Sequence, residues 1–136
     1  MTHKAKAFVL DTWAVIAYLE DEPSAQQIAE LIASAHEEEV PIYMTVVNAG
    51  EVWYNIAREI SEEDANSSIK ELRDLRIQFV DADWQLTQEA ARFKSQHKMS
   101  YADCYAAALA KVNKAYLVTG DKEFAPLSEQ VKIQWV

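Results

Sequence analysis

Glycine, proline and cysteine are scarce in this chain of 136 residues, which contains two glycines, three prolines and one cysteine. The sequence has none of the glycine-rich loops that commonly bind nucleotide phosphates. The single cysteine, Cys104, excludes an intrachain disulfide and is compatible with a reducing cytoplasm, where we expect the protein to be located. No apolar run approaches the ~20 residues that span a bilayer, so we expect neither a membrane segment nor a signal peptide.

Positive charge is also scarce, since 13 Lys and Arg face 22 Asp and Glu and the net charge is −9. Simple non-specific nucleic-acid binding needs a basic footprint, which this composition lacks. An acidic site that holds divalent cations is compatible with the composition, because the metal then supplies the positive charge that meets a phosphate. The length favours a single domain over residues 1–136, and a hydrophobic content of 50% is enough for one core.

Short apolar runs alternate with amphipathic stretches along the chain. The apolar runs predict strands at residues 7–10, 41–47, 77–80, 115–119 and 131–136. Helical spacing predicts helices at residues 12–19, 24–35, 49–60, 62–75, 84–98 and 101–112, with a short turn or helix at 124–127. This alternation predicts an α/β fold, a three-layer α/β/α sandwich with a central, mostly parallel sheet of about five strands.

Capping patterns mark the starts of several predicted helices. Three pairs place an acid three positions after a capping residue: Asn48 with Glu51, Ser61 with Asp64, and Ser100 with Asp103. Asp83 is expected to cap the helix after the third strand, and Pro23 to lie in the first turn of the second helix. Capping is therefore one complete explanation for the carboxylates of Glu51 and Asp103.

Four acids also occupy positions that suit a shared site. Asp11, Glu51 and Asp121 each follow a predicted strand closely, and Asp103 begins a helix. Ligands of an open parallel sheet bind at the carboxyl ends of its strands. Carboxylates gathered there raise one another's pKa, and a hard cation such as Mg²⁺ or Mn²⁺ relieves their repulsion. Such a site can activate water against a phosphodiester, although a helix cap for Asp11 and a turn for Asp121 remain simpler interpretations.

Four segments, in order, resemble the acidic motifs of PIN domains and together cover almost the whole chain. They are Phe8–Thr12, Asn48–Val52, Ser100–Ala110 and Leu117–Phe124. The resemblance implies that Mg²⁺ or Mn²⁺ is bound by the four acids Asp11, Glu51, Asp103 and Asp121, with water as the nucleophile. It also implies that the Thr119 hydroxyl helps to hold a carboxylate or a water on the metal.

The compact size most resembles the toxins of VapBC-type toxin–antitoxin pairs. That resemblance implies a cytoplasmic, metal-dependent endoribonuclease with an RNA substrate. It implies a homodimer, silenced by an antitoxin segment laid over the active-site groove. Glu123 departs from the family pattern, which often has an Asp there, so we do not count Glu123 as a ligand.

Two other functions compete with a nuclease. Asp11 after a strand and Gly120-Asp121 late in the chain resemble parts of haloacid-dehalogenase-like phosphatases, but that class usually needs a second acid where this chain has Trp13. A non-catalytic RNA- or protein-binding PIN module has no need to keep four mutually repelling carboxylates.

The remaining chemically notable residues have simpler interpretations. Cys104 is expected to pack in the core, because nothing places a histidine beside it. Trp13, Trp53 and Trp84 are expected to be core or dimer contacts. The helix residues Arg92, Lys94 and Lys98 could contact phosphates, although a solvated helix face is the simpler interpretation.

Overall fold

A sheet of five parallel strands forms the centre of the computed structural model, which describes residues 5–136. The strand order is β3-β2-β1-β4-β5. The strands are β1 (Phe8–Leu10), β2 (Ile42–Thr45), β3 (Ile77–Val80), β4 (Tyr116–Thr119) and β5 (Lys132–Trp135). The predicted parallel sheet of about five strands is therefore confirmed.

Helices cover both faces of the sheet. They are α1 (Thr12–Leu19), α2 (Ala25–Glu37), α3 (Val46–Glu59), α4 (Glu62–Asp74), α5 (Trp84–Gln96) and α6 (Tyr101–Asn113), with a 3₁₀-helix at Lys122–Leu127. Helices α1 to α4 enclose one apolar core with the sheet, and α5, α6 and the 3₁₀-helix enclose the other. This is the predicted three-layer sandwich. Among the described residues, no helix combines the length and apolar character needed to cross a bilayer.

The central strands are apolar on both sides because both faces of the sheet are buried. On β1, Val9 packs in the core beneath α5 and α6, whereas Leu10 packs in the core beneath α1 to α4. In the neighbouring strand, Leu117 lies opposite Val9 and Val118 lies opposite Leu10. Both strands therefore end at the same sheet edge, which brings the residues after them together.

Three of the predicted helix caps are confirmed by hydrogen bonds. Ser61 caps α4 and Ser100 caps α6, each accepting from the backbone N–H three residues on, at 3.0 and 3.1 Å. Asp83 caps α5 by accepting from Leu86 N at 2.9 Å. Pro23 does not lie in the first turn of α2, because that helix begins at Ala25 with Ser24 as its N-cap.

The predicted capping role of Asn48 is wrong. Thr45 is the N-cap of α3, and its hydroxyl accepts a 3.0 Å hydrogen bond from Asn48 N. The helix therefore begins at Val46, and β2 ends at Thr45 rather than continuing to Val47. Glu51 consequently lies in the second turn of α3, where it cannot complete a capping box with Asn48.

The expected environments of the single cysteine and the tryptophans are partly correct. Cys104 is fully buried in α6 and packs in the core, as predicted. Trp13 and Trp53 pack against the core beneath α1 to α4. Trp84 is 71% exposed, so a core role for it is wrong, and its proposed dimer contact stays a prediction.

Candidate metal centre

Asp11 is a buried carboxylate at the junction of β1 and α1, with 1% of its surface exposed. One oxygen caps α1 by accepting from Ala14 N at 2.8 Å, and the other accepts from the Thr119 hydroxyl at 2.6 Å. Burial raises the pKa of Asp11 to about 7, the two hydrogen bonds oppose that rise, and the charges of Asp103 and Asp121 add to it. Asp11 therefore caps α1, and its carboxylate is also repelled by the negative charges of Asp103 and Asp121.

Thr119 connects Asp11 to Asp121 across the ends of two strands. It is fully buried as the last residue of β4, which pairs with β1. Its hydroxyl donates to Asp11 and accepts a 3.0 Å hydrogen bond from Asp121 N. The Asp121 carboxylate in turn accepts from Glu123 N at 2.9 Å and caps the 3₁₀-helix. The role expected for Thr119 in holding a carboxylate therefore matches its contacts.

Gly120 allows this segment to pass close to α1. A Cβ atom built on Gly120 would lie 2.2 Å from Cη2 of Trp13, a distance that real contacts do not reach. The indole of Trp13 therefore occupies the space that a side chain at position 120 would need. Because Gly120 lies between Thr119 and Asp121, this packing helps to fix the height of both functional groups above the sheet.

Asp103 reaches the same edge from the first turn of α6. Its own N–H is capped by Ser100, and its carboxylate is half-buried. Burial raises the pKa of Asp103 to about 6, the hydrogen bond with Ser100 opposes the rise, and the charges of Asp121, Glu51 and Glu123 add to it. A helix N-terminus favours a carboxylate by itself. The net effect of desolvation, and then of repulsion by neighbouring acids, is nevertheless a raised pKa for Asp103.

Three carboxylates come within reach of one cation. Oxygen atoms of Asp103, Asp121 and Glu123 all lie within 4.8 Å of one another. Glu123, which sequence reasoning set aside, belongs to this group because the 3₁₀-turn folds it back beside Asp121. Its position two residues after Asp121 was the available signal, since a carboxylate at that spacing can share a turn with the first.

Glu51 approaches this cluster without joining the group of three. Its charge raises the pKa of Asp103, so the two carboxylates are close enough to interact. The only side-chain contact found for Glu51 among residues 5–136 is a weak 3.4 Å hydrogen bond from the Tyr54 hydroxyl. The acids selected from sequence are thus gathered at one sheet edge, with Glu51 at the margin.

Asn48 is a functional candidate that sequence reasoning missed. Its fully buried amide accepts from the Thr45 hydroxyl at 2.5 Å and donates to the Thr12 hydroxyl at 3.3 Å and to the Ala102 carbonyl at 3.1 Å. These bonds join the starts of α1, α3 and α6, the helices that bear Asp11, Glu51 and Asp103. Asn48 therefore positions all three acid-bearing helices, which only the folded contacts reveal.

Comparison with known proteins agrees with this arrangement. The profile of the PIN domain family matches residues 8–129, which is most of the chain. The chain belongs to the PIN-domain family. No curated protein is significantly similar to it in sequence.

Solved structures with the same fold include toxin–antitoxin proteins. This PIN domain superimposes on VapBC2 from Rickettsia felis, bound to a promoter DNA fragment, with a TM-score of 0.76 and 16% identity over 96% of this chain and 98% of that chain. For VapBC-1 from nontypeable Haemophilus influenzae, the TM-score is 0.71 and the sequence identity is 20%, over 95% of this chain and 97% of that chain. For the sarcin-ricin loop cleaving toxin VapC20 from Mycobacterium tuberculosis, the TM-score is 0.69 and the sequence identity is 14%, over 88% of this chain and 94% of that chain. These likenesses establish the fold of the PIN domain.

Proposed function

We propose that this PIN domain is a metal-dependent endoribonuclease that hydrolyses RNA phosphodiester bonds. The observation that carries the proposal is the convergence of Asp103, Asp121 and Glu123 oxygens within 4.8 Å, beside the buried carboxylate of Asp11. Like charges so close together destabilise a metal-free protein. A bound divalent cation would relieve this repulsion.

The donor atoms suit Mg²⁺ or Mn²⁺. All are carboxylate oxygens, which hard divalent cations prefer, and the described part of the cluster contains no sulfur or imidazole donor. We assign the metal to Asp103 and Asp121. The carboxylates of Asp11, Glu51 and Glu123 lie nearby and interact with its charge. A bound metal of this class neutralises phosphate charge and makes water a stronger nucleophile.

The protein's own groups prepare the site for that chemistry. The Thr119 hydroxyl donates to Asp11 and so stabilises its ionised form against the cost of burial. The same oxygen accepts from Asp121 N, which fixes the backbone that carries the Asp121 carboxylate. Asn48 holds the starts of three helices together. The carboxylates are thereby oriented before substrate arrives, which lowers the reorganisation that catalysis requires.

The biological setting is part of the same proposal. Several structural neighbours are complexes of a toxin with its antitoxin, including one from Salmonella typhimurium bound to DNA. We infer that this chain is the toxin of such a pair, inhibited by an antitoxin laid over the carboxylate edge. A single domain over residues 1–136, a homodimer and a cytoplasmic location complete the proposal.

The burial of Asp11 argues against a phosphatase. A phosphatase of the haloacid dehalogenase type would use Asp11 as a nucleophile, yet both of its oxygens accept hydrogen bonds and 1% of its surface is exposed. Trp13 also stands where that class usually has a second acid. A non-catalytic binding module has no observation in its favour over a nuclease.

The test is cleavage of structured and unstructured RNA by purified protein, with Mn²⁺ or with EDTA. We expect cuts with Mn²⁺, none with EDTA, and a loss of at least about 100-fold in rate for Asp103→Asn. Asp81→Asn is the matched control, because Asp81 is an exposed aspartate outside the cluster. Equal cleavage in EDTA, or by Asp103→Asn, would sink the proposal, and an aspartyl-phosphate trapped on Asp11 would establish the phosphatase.

A further inference from the structure

The charge of this acidic protein is divided between the two faces of its sheet. Residues 1–80 hold six Lys or Arg against fifteen Asp or Glu, whereas residues 81–136, which include Asp81 and the α5 cap Asp83, hold seven against seven. Helices α1 to α4 come from the first part and cover one face, and α5 and α6 come from the second part and cover the other. Three of the seven acids in the second part belong to the carboxylate cluster. Outside that cluster, the α5–α6 side holds seven cations against four acids and is therefore the basic side of the molecule.

The cations on this face lie on the exposed side of α5 and near the two ends of α6. At the end near Asp103, the Lys94 ammonium donates to the Met99 carbonyl at 2.5 Å, just before α6 begins. Farther along, Arg92 on α5 and Lys111 in the last turn of α6 both contact Glu89. We name the set Arg92, Lys94, Lys98, Lys111, Lys114 and Lys132 the basic track.

At the far end of the track, three lysines surround a cavity of about 200 Å³. They are Lys111 and Lys114 on or just after α6, and Lys132 on β5. Lysines after a helix C-terminus are explained by the helix dipole alone. Lys132 comes from a separate element and stacks its ammonium 5.7 Å from the Tyr116 ring centre, so the dipole does not explain its presence.

We propose that the basic track binds the phosphates of single-stranded RNA and leads the strand from the C-terminal end of α6, over the exposed side of α5, to the carboxylate cluster. The proposal rests on the endoribonuclease function proposed above. A polyanion that approached over α1 to α4 would meet strong repulsion, whereas the basic track offers lysines and an arginine to phosphates. A 13-residue α6 is about 20 Å long, which matches about six stacked nucleotides at 3.4 Å each.

The test compares two triple variants with equal changes in net charge. The track triple is Lys98→Gln, Lys114→Gln and Lys132→Gln. The control triple on the opposite layer is Lys70→Gln, Arg73→Gln and Arg76→Gln. The pairs are matched, since Lys114 and Arg76 both have positive φ and Lys132 and Arg73 both stack on an aromatic ring. Thermal melts of both triples verify folding.

Binding of a labelled, unstructured RNA of about 12 nucleotides is followed by fluorescence anisotropy in EDTA over a range of salt concentrations. We expect the track triple to bind about tenfold more weakly near 100 mM salt and to lower the salt slope by about 2, as three lost phosphate contacts require. The control triple should leave the RNA affinity and its salt slope close to those of the wild type. Equal weakening in both triples, or no RNA binding by the wild type, would overturn the track.

Two further measurements sharpen the result. An RNA of about three nucleotides contacts only part of the track, so the track triple should weaken its binding, and lower its salt slope, by less than for the longer RNA. Glu89→Gln releases Arg92 and Lys111 from their shared partner, and should tighten binding of the longer RNA about twofold to threefold. A purely structural role for these ion pairs predicts no gain, and that outcome would count against the proposal.

Cleavage in Mn²⁺ separates this proposal from the proposed function. If the wild type cuts RNA and the track triple cuts it with unchanged kcat/KM, the track is wrong and the nuclease stands. If RNA binds along the track but is never cut, the nuclease is wrong and the track stands. If the track triple raises KM at constant kcat, both hold, because the track then contributes binding and not chemistry.

Discussion

The Thr119 hydroxyl donates a 2.6 Å hydrogen bond to the buried carboxylate of Asp11, although the two residues are 108 positions apart in the chain. The contact exists because Asp11 follows β1, Thr119 ends β4, and these strands are neighbours in the sheet. It favours the charged form of a carboxylate that burial would otherwise neutralise. A metal site needs that charged form.

Removing this hydroxyl should weaken both the fold and the metal site. Thr119→Val leaves one oxygen of Asp11 and the Asp121 N–H each without its hydrogen-bond partner. We expect the free energy of unfolding to fall by about 1–3 kcal/mol, and Mn²⁺ affinity to fall about tenfold. Thr119→Ser retains the hydroxyl and should keep most of the stability and most of the Mn²⁺ affinity. Denaturant unfolding measures the first, and calorimetric titration measures the second. Unchanged Mn²⁺ affinity in Thr119→Val would show that the contact serves only the fold.

The metal-free protein should lose stability as pH rises from about 4 to about 7. The pKa of Asp11 is about 7 in the folded state against an ordinary 3.8, so between these values the folded state holds a proton that the unfolded state has lost. Stability from this group is complete below pH 3.8 and is lost as pH rises towards 7, by at most about 1.4 kcal/mol per pH unit. Thermal melts in EDTA across this range measure the loss.

Asp11→Asn should reduce that pH dependence without removing the cap, since Asn caps helices as well as Asp, and the part that remains comes from the raised pKa of Asp103. The variant should melt above the wild type in EDTA at pH above 7 and should gain less from Mn²⁺. Asp83→Asn is the control, because Asp83 caps α5 with similar backbone angles while being exposed. It should show neither change. An Asp11→Asn variant that melts lower in EDTA and gains fully from Mn²⁺ would make Asp11 purely structural.

Glu123 should contribute to metal binding despite its departure from the family pattern. Glu123→Gln removes a charge whose oxygen lies within 4.8 Å of those of Asp103 and Asp121. We expect Mn²⁺ affinity to fall about tenfold in calorimetric titrations, with no loss of stability in EDTA. Glu129→Gln is an exposed control just after the same 3₁₀-helix and should bind Mn²⁺ like the wild type. Equal Mn²⁺ affinities for Glu123→Gln and Glu129→Gln would support the prediction from the sequence that Glu123 is not a metal ligand.

The two glycines should respond to alanine with opposite signs. Gly120→Ala would force Trp13 to move, because the new Cβ would lie 2.2 Å from the indole, and should cost about 1–3 kcal/mol of stability. Gly50→Ala meets nothing within 4 Å inside α3 and should stabilise by about 1 kcal/mol. Trp13→Phe should recover part of the Gly120→Ala loss in a double-mutant cycle. Additive effects of these two changes would contradict the contact.

The sequence was sufficient to predict elements whose local signals agree. Helix α1 at Thr12–Leu19 and strand β3 at Ile77–Val80 have the predicted bounds, because polar or turn residues flank their apolar runs. The start of α3 could not be decided locally. Thr45 followed by Asn48, and Asn48 followed by Glu51, both fit a cap, and the contacts of Asn48 with Thr12 and Ala102 make Thr45 the cap.

The site was predictable in its acids but not in its connections. Strand ends in a parallel sheet share an edge, which was enough to gather Asp11, Asp103 and Asp121. Glu123 joins the cluster because of a 3₁₀-turn, whereas the comparison with the family pattern had led us to set this residue aside. The positioning role of Asn48 depends on contacts among three elements that are distant in sequence. Such relationships arise from packing, and spacing along the chain does not encode them.

The most direct test is a crystal structure of the protein grown with Mn²⁺, using the anomalous signal of the metal. We expect one or more anomalous peaks within about 2.5 Å of carboxylate oxygens of Asp103 and Asp121, beside Asp11. The peaks should disappear in Asp103→Asn. Manganese bound elsewhere, or an Asp103–Asp121 cluster that remains empty in crystals saturated with Mn²⁺, would contradict this expectation.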